Sequence, residues 1–265
     1  MSIKILFIGD IVGRPGRESC KKWLPGMIHE WTPDLVIANG ENAASGKGIT
    51  HDVTGELLAA GIDVLTMGNH VWDNREIFNF IDQEHRIVRP ANYPEPCPGV
   101  GSRIYTANNG YRVGVISLAG RVFMPAIDCP FKAVDLLIDQ MQGRCETVFV
   151  DFHAEATSEK IAFGYYVDGR VGAVVGTHTH VQTADERILP GGTGYITDVG
   201  MTGPLDGVIG VAREQVIEKF ITGRPTRFEV MRKGSTQINA IYLELDQKSR
   251  QCTRIYRIQQ TSPQI

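Results

Sequence analysis

Seven short, continuous apolar runs narrow the choice of fold for this chain. Their hydrophobic residues do not alternate with polar ones, which is typical of strands covered on both faces. Between several runs lie stretches with apolar residues about 3.6 positions apart, which predicts helices. The predicted strands are 3–9, 35–39, 62–68, 112–120, 147–152, 172–177 and 194–200, and the predicted helices are 17–30, 52–60, 74–83, 131–142 and 211–222. This alternation favours an α/β fold with largely parallel sheets.

The last third of the chain has a different pattern, in which apolar and polar residues alternate over long stretches. Alternation predicts antiparallel strands, and the segments KGS and QKSRQ have the composition of hairpin turns. We expect these strands to add to one edge of a sheet. No linker and no repeat of fixed period divides the chain, so we predict a single domain over residues 1–265.

The charge balance argues against a protein that binds nucleic-acid duplexes. The chain has 27 Lys and Arg against 30 Asp and Glu, which gives a formal net charge of −3. Binding to duplex DNA usually needs a basic surface that displaces counterions from the phosphates, so duplex DNA is not an expected partner. A small phosphorylated substrate is compatible with this balance, because a bound metal ion can supply positive charge locally.

The five cysteines are widely spread and contain no C-x-x-C pair, so neither a zinc knuckle nor a thioredoxin-like motif is expected. The first apolar run meets Asp10 too early for a signal peptide. No stretch approaches the ~20 apolar residues of a membrane span, so a membrane is not an expected partner. Free thiols without an export signal predict a cytoplasmic protein, and a homo-oligomer is compatible with the sequence.

Metal-binding side chains follow five of the predicted strands. The groups are Asp10; Asn39, Glu41 and Asn42; Asn69 and His70; Asp151, His153 and Glu155; and His178 and His180. The carboxyl ends of parallel strands share one sheet edge, where α/β proteins bind ligands. Carboxylates, amide oxygens and imidazoles without a thiolate suit Mn, Fe or Zn better than Ca. We therefore expect these groups to converge on one metal site.

The number of candidate ligands favours a pair of ions over one. Three imidazoles and two carboxylates exceed the needs of a single tetrahedral ion, whereas two ions bridged by a carboxylate account for the surplus. Taken singly, an Asp after a strand usually caps a turn, and a buried His is usually a hydrogen-bonded core residue. Packing explains the whole set poorly, since His178 and His180 would face one side of a strand.

Two glycine-rich segments lack the spacing of nucleotide-binding loops. NGENAASGKGIT has one residue too many between Gly40 and Gly46 for a P-loop, and it has Gly48 where Ser or Thr is required. GDIVGRPG lacks the G-x-G-x-x-G spacing of a dinucleotide site. A metal-dependent regulator that acts through a partner, and a two-metal peptidase or amidase, are the alternatives that the residues leave open.

Five motifs carry a resemblance to a known family. GDIVGRPG, ANGENAA, TMGNHVWD, VDFHAEATSEK and VGTHTHVQTADE follow one another between residue 4 and about residue 210 in an order that resembles the YmdB-like branch of the calcineurin-like metallophosphoesterases. The wider superfamily has a His at the position of Val12 and a bridging Asp at the position of Glu41. In the YmdB-like branch, Glu followed by Asn42 is itself the pattern. The resemblance implies a two-sheet sandwich flanked by helices, with four layers in the order α/β/β/α.

The resemblance also implies roles for the site residues. One ion would bind Asp10, Glu41, Asn42 and His180, and the other would bind Glu41, Asn69, His153 and His178. His70 would be the general acid and not a ligand. The implied ions are divalent or trivalent, with Fe or Mn ahead of Zn. The implied reaction is hydrolysis of a small phosphodiester, with 2',3'-cyclic nucleotides as the leading candidates, by a hydroxide held between the ions.

Several aromatic and basic residues are candidates for substrate contacts. Aromatic side chains able to stack on a base are Trp72, Tyr93, Phe123 and Tyr166. Guanidinium groups able to contact a phosphate are those of Arg14, Arg75 and Arg121. Core packing is the commoner role of aromatics and surface exposure the commoner role of Arg, so the residues alone support these contacts only weakly.

Overall fold

The apolar runs form the strands of two β-sheets in the computed structural model, which describes residues 2–262. In chain order the strands are β1 (Ser2–Ile8), β2 (Asp10–Ile11), β3 (Leu35–Asn39), β4 (Val64–Thr66), β5 (Ile87–Val88), β6 (Ser102–Thr106), β7 (Arg112–Ala119), β8 (Thr147–His153), β9 (Ala173–Thr177), β10 (Arg187–Ile188), β11 (Gly194–Ile196), β12 (Met201–Pro204), β13 (Thr236–Asp246) and β14 (Cys252–Thr261). The helices are α1 (Gly13–Trp31), α2 (His51–Ala59), α3 (Pro130–Met141), α4 (Thr157–Tyr166) and α5 (Arg213–Thr222). Strands and helices alternate over most of the chain, which confirms the predicted α/β class.

The first sheet joins four parallel strands to a long antiparallel hairpin. Strands β1, β3, β4 and β5 are parallel neighbours in that order. Ala240 of β13 pairs antiparallel with Ile8 of β1 on one side and with Ile258 of β14 on the other, so β14 is the outer strand. The C-terminal strands therefore add to one edge of the sheet, as predicted. QKSRQ connects β13 to β14, whereas KGS leads into β13 and closes no hairpin.

The second sheet has the order β10-β11-β9-β8-β7-β6. Its four central strands, β7, β8, β9 and β11, are parallel, and the two edge strands pair antiparallel with their neighbours. Parallel neighbours share the direction of their carboxyl ends, so the segments that follow β7, β8 and β9 emerge at the same edge.

Alternating side chains of β1 belong to two different cores. Ile3, Ile5 and Phe7 pack between the two sheets, whereas Leu6 and Ile8 pack on the opposite face with residues of α1 and α2. Successive side chains of a strand point to opposite faces, so the first sheet is covered on both sides. This explains why its sequence is continuously apolar.

The second sheet is covered in the same way, by α3 and α4 on its outer face. Phe149 of β8 faces the first sheet, with its ring centroid 5.4 Å from that of Phe7. Val148, Val150 and Phe152 of the same strand pack in the outer core with residues of α3 and α4. The layers therefore follow the order α/β/β/α, which confirms the predicted fold. None of the helices within residues 2–262 is both long enough and apolar enough for a transmembrane segment.

Most of the predicted helices are present, but the prediction over 74–83 is only partly correct. Predictions 17–30, 52–60, 131–142 and 211–222 correspond to α1, α2, α3 and α5. Segment 74–83 instead contains a 3-10 helix, Arg75–Asn79, in which the Phe80 N–H donates to the Ile77 carbonyl. Helix α4 was not predicted from the sequence, because it is short and buries few side chains. The predicted strand 194–200 is only partly correct, because β11 ends at Ile196 and the chain then turns before β12, with φ +80° at Gly200.

Candidate metal centre

Hydrogen bonds join the carboxyl ends of strands from both sheets. Asn39, at the end of β3, donates to the Asp151 carboxylate of β8 at 3.0 Å. The His178 N–H, just after β9, donates to the Asp10 carboxylate at 3.2 Å, although the two residues are 168 positions apart. The predicted metal-binding groups therefore meet at one edge of the sandwich.

Three of the predicted ligands form a compact group. The carboxylate of Glu41 lies 3.1 Å from His153 Nε2, and His153 Nε2 lies 3.0 Å from His178 Nδ1. The ligand atoms of Glu41, His153 and His178 all lie within 4.8 Å of one another, which is close enough to hold a metal ion. Asn69 completes the group, with its Oδ1 2.9 Å from His153 Nε2.

The other predicted ligands lie beside this group. Asn42 Nδ2 lies 3.1 Å from Glu41 Oε1 and 3.3 Å from His180 Nε2. His180 Nε2 lies 4.0 Å from Asp10 Oδ1. A half-turn of the Asn42 amide exchanges its nitrogen for its oxygen, so this side chain can offer an acceptor at the same place. The structure thus brings together all seven residues predicted as ligands.

The contacts of Asp10 and His153 are explained better by a bound cation than by hydrogen bonds within the protein alone. Within residues 2–262, the buried Asp10 Oδ1 has no hydrogen-bond partner. His153 Nε2 faces Glu41 Oε1, Asn69 Oδ1 and His178 Nδ1 at once, and a ring nitrogen carries at most one proton. Converging lone pairs of nitrogen and oxygen are what Mn, Fe or Zn binds. The residues present therefore fit the implied metal centre.

Burial and mutual charge shift the pKa values of the residues in the cluster. Burial raises the pKa of Asp10 to about 6, although His180 and His153 act in the opposite direction. Burial alone would raise the pKa of Glu41, but the neighbouring His153 outweighs it and the pKa falls to about 2. Burial and the charge of His153 lower the pKa of His178 to about 3, so His178 is a neutral imidazole at neutral pH. A neutral imidazole is the form that binds metal.

A hydrogen-bonded chain behind His153 sets its tautomer. The Thr177 hydroxyl donates to Asp151 at 2.7 Å, so its remaining contact with His153 Nδ1, at 2.9 Å, is one in which the ring nitrogen donates. Once His153 gives up its Nε2 proton, as a metal ligand must, the proton on Nδ1 stays hydrogen-bonded to Thr177 and the Nε2 lone pair faces the cluster. Such outer partners typically orient metal-binding imidazoles. Asp151 and Thr177 are therefore supporting residues that the predicted ligand set did not include.

The two histidines of the THTH segment follow β9, as predicted, but they do not lie in a strand, so strand alternation is not what places them on one side. Strand β9 ends at Thr177, and His178 and His180 have φ +102° and +66°. Left-handed conformations are uncommon for residues other than Gly, and they persist where surrounding contacts enforce them. Here the two backbone reversals, and not strand alternation, turn both imidazoles toward Asp10 and Glu41.

A buried ion pair holds the THTH segment in this conformation. The Asp198 carboxylate accepts from the Thr179 N–H at 3.0 Å, from the Thr179 hydroxyl at 2.8 Å and from Lys160 Nζ at 2.7 Å. Lys160 lies in α4 and its ammonium also donates to the Thr177 carbonyl at 2.8 Å. The sequence interpretation missed both charged residues, because α4 was not predicted and Asp198 was placed inside a strand.

Close packing around Gly68 explains why the segment before Asn69 has no side chain there. A Cβ at this position would collide with the carboxylate of Glu41 and the ring of His153. Strand β4 ends at Thr66, two residues before Gly68. Because Gly68 has no side chain, the backbone passes directly beside Glu41 and His153, and Asn69 contacts His153.

His70 lies next to the cluster but outside its ligand group. Its backbone N–H donates to Glu41 Oε2 at 2.9 Å, and its Nδ1 lies 2.9 Å from the Asp73 carboxylate. The His70 side chain is 26% exposed, whereas that of His153 is fully buried. Asp73 orients the ring through Nδ1, which leaves Nε2 free for another partner.

Glu155 is a candidate orienting partner of His178. Its carboxylate lies 3.1 Å from His178 Nε2, while Nδ1 of the same ring faces the cluster. We expect Glu155→Ala to weaken Mn²⁺ binding by ~10–100-fold, the usual effect of removing an outer partner of a metal-binding imidazole. Titration calorimetry with Mn²⁺ measures this, with Glu18→Ala as an exposed control. Unchanged affinity in Glu155→Ala would show that His178 is oriented without it.

Sequence comparison decides the family. A profile of the YmdB-like protein family matches residues 6–258. The chain belongs to the YmdB-like family. This confirms the resemblance carried by the five motifs. The matched range of this YmdB-like protein includes all seven residues that were predicted to bind metal.

Relatives of this YmdB-like protein cover nearly its whole length. A protein of Bacillus subtilis named 2',3'-cyclic-nucleotide 2'-phosphodiesterase is 52% identical, over 97% of this chain and 96% of the relative. The crystal structure of a hypothetical protein from Thermus thermophilus matches with a TM-score of 0.92 and 41% identity, covering 98% of this chain and all of the other. That of a novel phosphatase from Mycoplasma pneumoniae matches with a TM-score of 0.93 and 37% identity, covering 100% and 95% of the two chains.

Proposed function

We propose that this YmdB-like protein is a metal-dependent phosphodiesterase that hydrolyses 2',3'-cyclic nucleotides. The observation that carries the proposal is the convergence of buried Glu41 with His153 and His178, whose ligand atoms lie within 4.8 Å of one another. The name of the Bacillus subtilis relative, at 52% identity, supports both the reaction and the substrate class. The related structure described as a phosphatase supports phosphoester chemistry in general.

Two ions would account best for the full set of side chains, and Glu41 would serve as a ligand of both. Asp10, Asn42 and His180 form one group of neighbouring side chains, Asn69, His153 and His178 form another, and Glu41 contacts both groups. We infer that each group, with Glu41, holds one ion. The mixed oxygen and nitrogen donors favour Fe or Mn, with Zn as the next candidate.

The side chains of this protein then have distinct tasks. When bound, two ions of this kind supply a water of lowered pKa and positive charge beside the phosphate. Glu41, held by the His70 N–H, positions the two ligand groups relative to each other. His70, oriented by Asp73, donates a proton to the departing 2'-oxygen, while the oxygen of water adds to phosphorus and leaves a 3'-phosphate.

Metal removal tests the proposed function. We expect purified protein with Mn²⁺ or Fe²⁺ to hydrolyse 2',3'-cyclic AMP and bis-p-nitrophenyl phosphate, and we expect a chelator to abolish both activities. Chromatography of the nucleotide products measures the first reaction, and absorbance of p-nitrophenolate measures the second. A protein that binds the metal yet hydrolyses neither compound would instead support the alternative, a regulator that acts through a partner.

Three further predictions concern the protein as a whole. We propose a single domain over residues 1–265, which the core shared by the two sheets supports. A cytoplasmic location and self-association into a homo-oligomer stay predictions from the sequence. Helix α5 exposes Ile217, Phe220 and Ile221, which is compatible with self-association.

A further inference from the structure

Phe123 differs from the other aromatic residues that were candidates to stack on a base. Trp72 is already stacked on Phe78, with ring centroids 5.4 Å apart, and it contacts Tyr93 edge-on at 5.7 Å. The hydroxyl of Tyr166 donates to Asp135, and its ring packs against α3. The side chain of Phe123, in contrast, is 90% exposed. A ring that lies in water instead of packing in a core keeps both faces available to stack on a ligand.

The backbone at Phe123 is also unfavourable for a residue of this type. The Met124 N–H donates to the Arg121 carbonyl at 3.3 Å and closes a turn, in which Phe123 is the third residue with φ +61°. Turns with positive φ at this position normally have Gly or Asn. A bulky residue in the left-handed region is a genuine outlier, and such strain is concentrated at functional sites. The chain therefore presents this ring despite a conformational penalty that Gly would avoid.

The turn is tied by hydrogen bonds to the end of β8, which carries His153, and to α4. The Gly120 N–H donates to the carbonyl of His153 at 2.9 Å. The carboxylate of Glu159, at the start of α4, accepts from the N–H groups of Arg121 and Val122 at 3.0 and 3.2 Å. Phe123 is three residues beyond Gly120, so at most roughly 11 Å of chain separates it from this contact with His153. The ring thus stands at the edge of the sandwich where the strand ends converge.

We propose that Phe123 is the platform on which the base of the cyclic nucleotide stacks while its phosphate lies at the metal centre, an assignment that rests on the proposed function. Every nucleobase has an aromatic face, so a single ring selects nucleotides over other phosphodiesters with little preference among bases. The bonds from Glu159 hold the platform rigidly, which lowers the entropy that binding would otherwise cost. Phe123 is in this sense a specificity-determining residue and not a catalytic one.

Comparison of a nucleotide with a substrate that lacks the base tests this role. We expect Phe123→Ala to raise KM for 2',3'-cyclic AMP by about tenfold or more, the usual range for loss of one stacked base, with kcat little changed. For methyl riboside 2,3-cyclic phosphate, which has the same ester but no base, kcat/KM should stay within about twofold of wild type. Phe220→Ala removes another exposed Phe, 85% exposed on α5, and should affect neither substrate.

Two more variants separate stacking from folding. Phe123→Trp should restore the low KM for 2',3'-cyclic AMP. Phe123→Gly should relieve the positive φ and raise the thermal unfolding temperature, yet show the high KM of Phe123→Ala. An unchanged KM in Phe123→Ala, or an equal loss for both substrates, would refute the platform while leaving the proposed function intact. If wild-type protein with Mn²⁺ or Fe²⁺ hydrolyses neither substrate, the proposed function fails and the platform with it.

Discussion

Glu41→Gln is expected to lose both bound metal and phosphodiesterase activity. Glu41 is fully buried and contacts both ligand groups, 3.1 Å from His153 and 3.1 Å from Asn42. Gln has nearly the same shape, but it lacks the negative charge that balances two cations and offers only one oxygen. The loss of turnover should exceed the ~10–100-fold effect typical of outer partners, because the substitution would remove a ligand that the two proposed ions share.

Metal content and turnover should be measured on the same preparation of Glu41→Gln. Elemental analysis after dialysis reports bound Mn or Fe, and hydrolysis of bis-p-nitrophenyl phosphate reports activity. Glu56→Gln is the matched control, because Glu56 is a carboxylate that pairs with Arg17 and Lys21 and is not one of the predicted ligands. Full metal content and activity in Glu41→Gln would rule out Glu41 as the bridging ligand.

His70→Ala is expected to separate metal binding from proton transfer. His70 lies outside the ligand group and its backbone N–H, which Ala retains, is what contacts Glu41. Metal content should therefore equal that of wild type. Turnover of 2',3'-cyclic AMP, whose alkoxide leaving group needs a proton, should fall by ~10²–10⁴-fold, the usual contribution of a general acid. Bis-p-nitrophenyl phosphate should be affected much less, because p-nitrophenolate leaves without protonation.

The contrast between the two substrates is the decisive measurement for His70→Ala. His85→Ala provides the control, because His85 is exposed and precedes the amino end of β5, whereas the cluster lies at the carboxyl ends of the strands. Asp73→Asn should show a smaller loss with the same dependence on the leaving group, since it removes only the charge that orients His70 through Nδ1. Equal losses of His70→Ala on both substrates would indicate a role in binding the phosphate and not in proton transfer.

Local patterns were sufficient for most of the fold. The continuous apolar run of β1 predicted a strand covered on both faces, and the structure places alternate residues in two cores. The C-terminal alternation predicted β13 and β14 as an antiparallel addition to a sheet edge. Helix α4 could not be predicted in this way, because its sequence has no clear amphipathic pattern. The helix is stabilised instead by packing of Phe163 against residues of a distant strand. The early end of β11 at Ile196 likewise depends on tertiary contacts, since Asp198 just after it binds Lys160 and Thr179.

The residues of the ligand set could be predicted from their types and positions, but the contacts that orient them could not. Asp10, Glu41, Asn69 and His153 all follow predicted strands, so the rule that strand carboxyl ends share one edge was enough to group them. The orientation of the ligands is a different matter. Glu155 reaches His178, and the buried Asp198 holds the segment between the two histidines, through contacts that no spacing in the sequence encodes.

The succession of these strands along the chain, and the metal-binding side chains that follow them, were determined by the sequence alone. Hydrophobic periodicity and side-chain type are local properties. Only the tertiary structure decided that two separate sheets would turn these ends toward each other, as in the hydrogen bond from Asn39 to Asp151, 112 residues away. It also decided the left-handed backbone at His178, His180 and Phe123. These conformations are unfavourable for the isolated chain, so they exist only where packing and hydrogen bonds from remote segments outweigh their local cost.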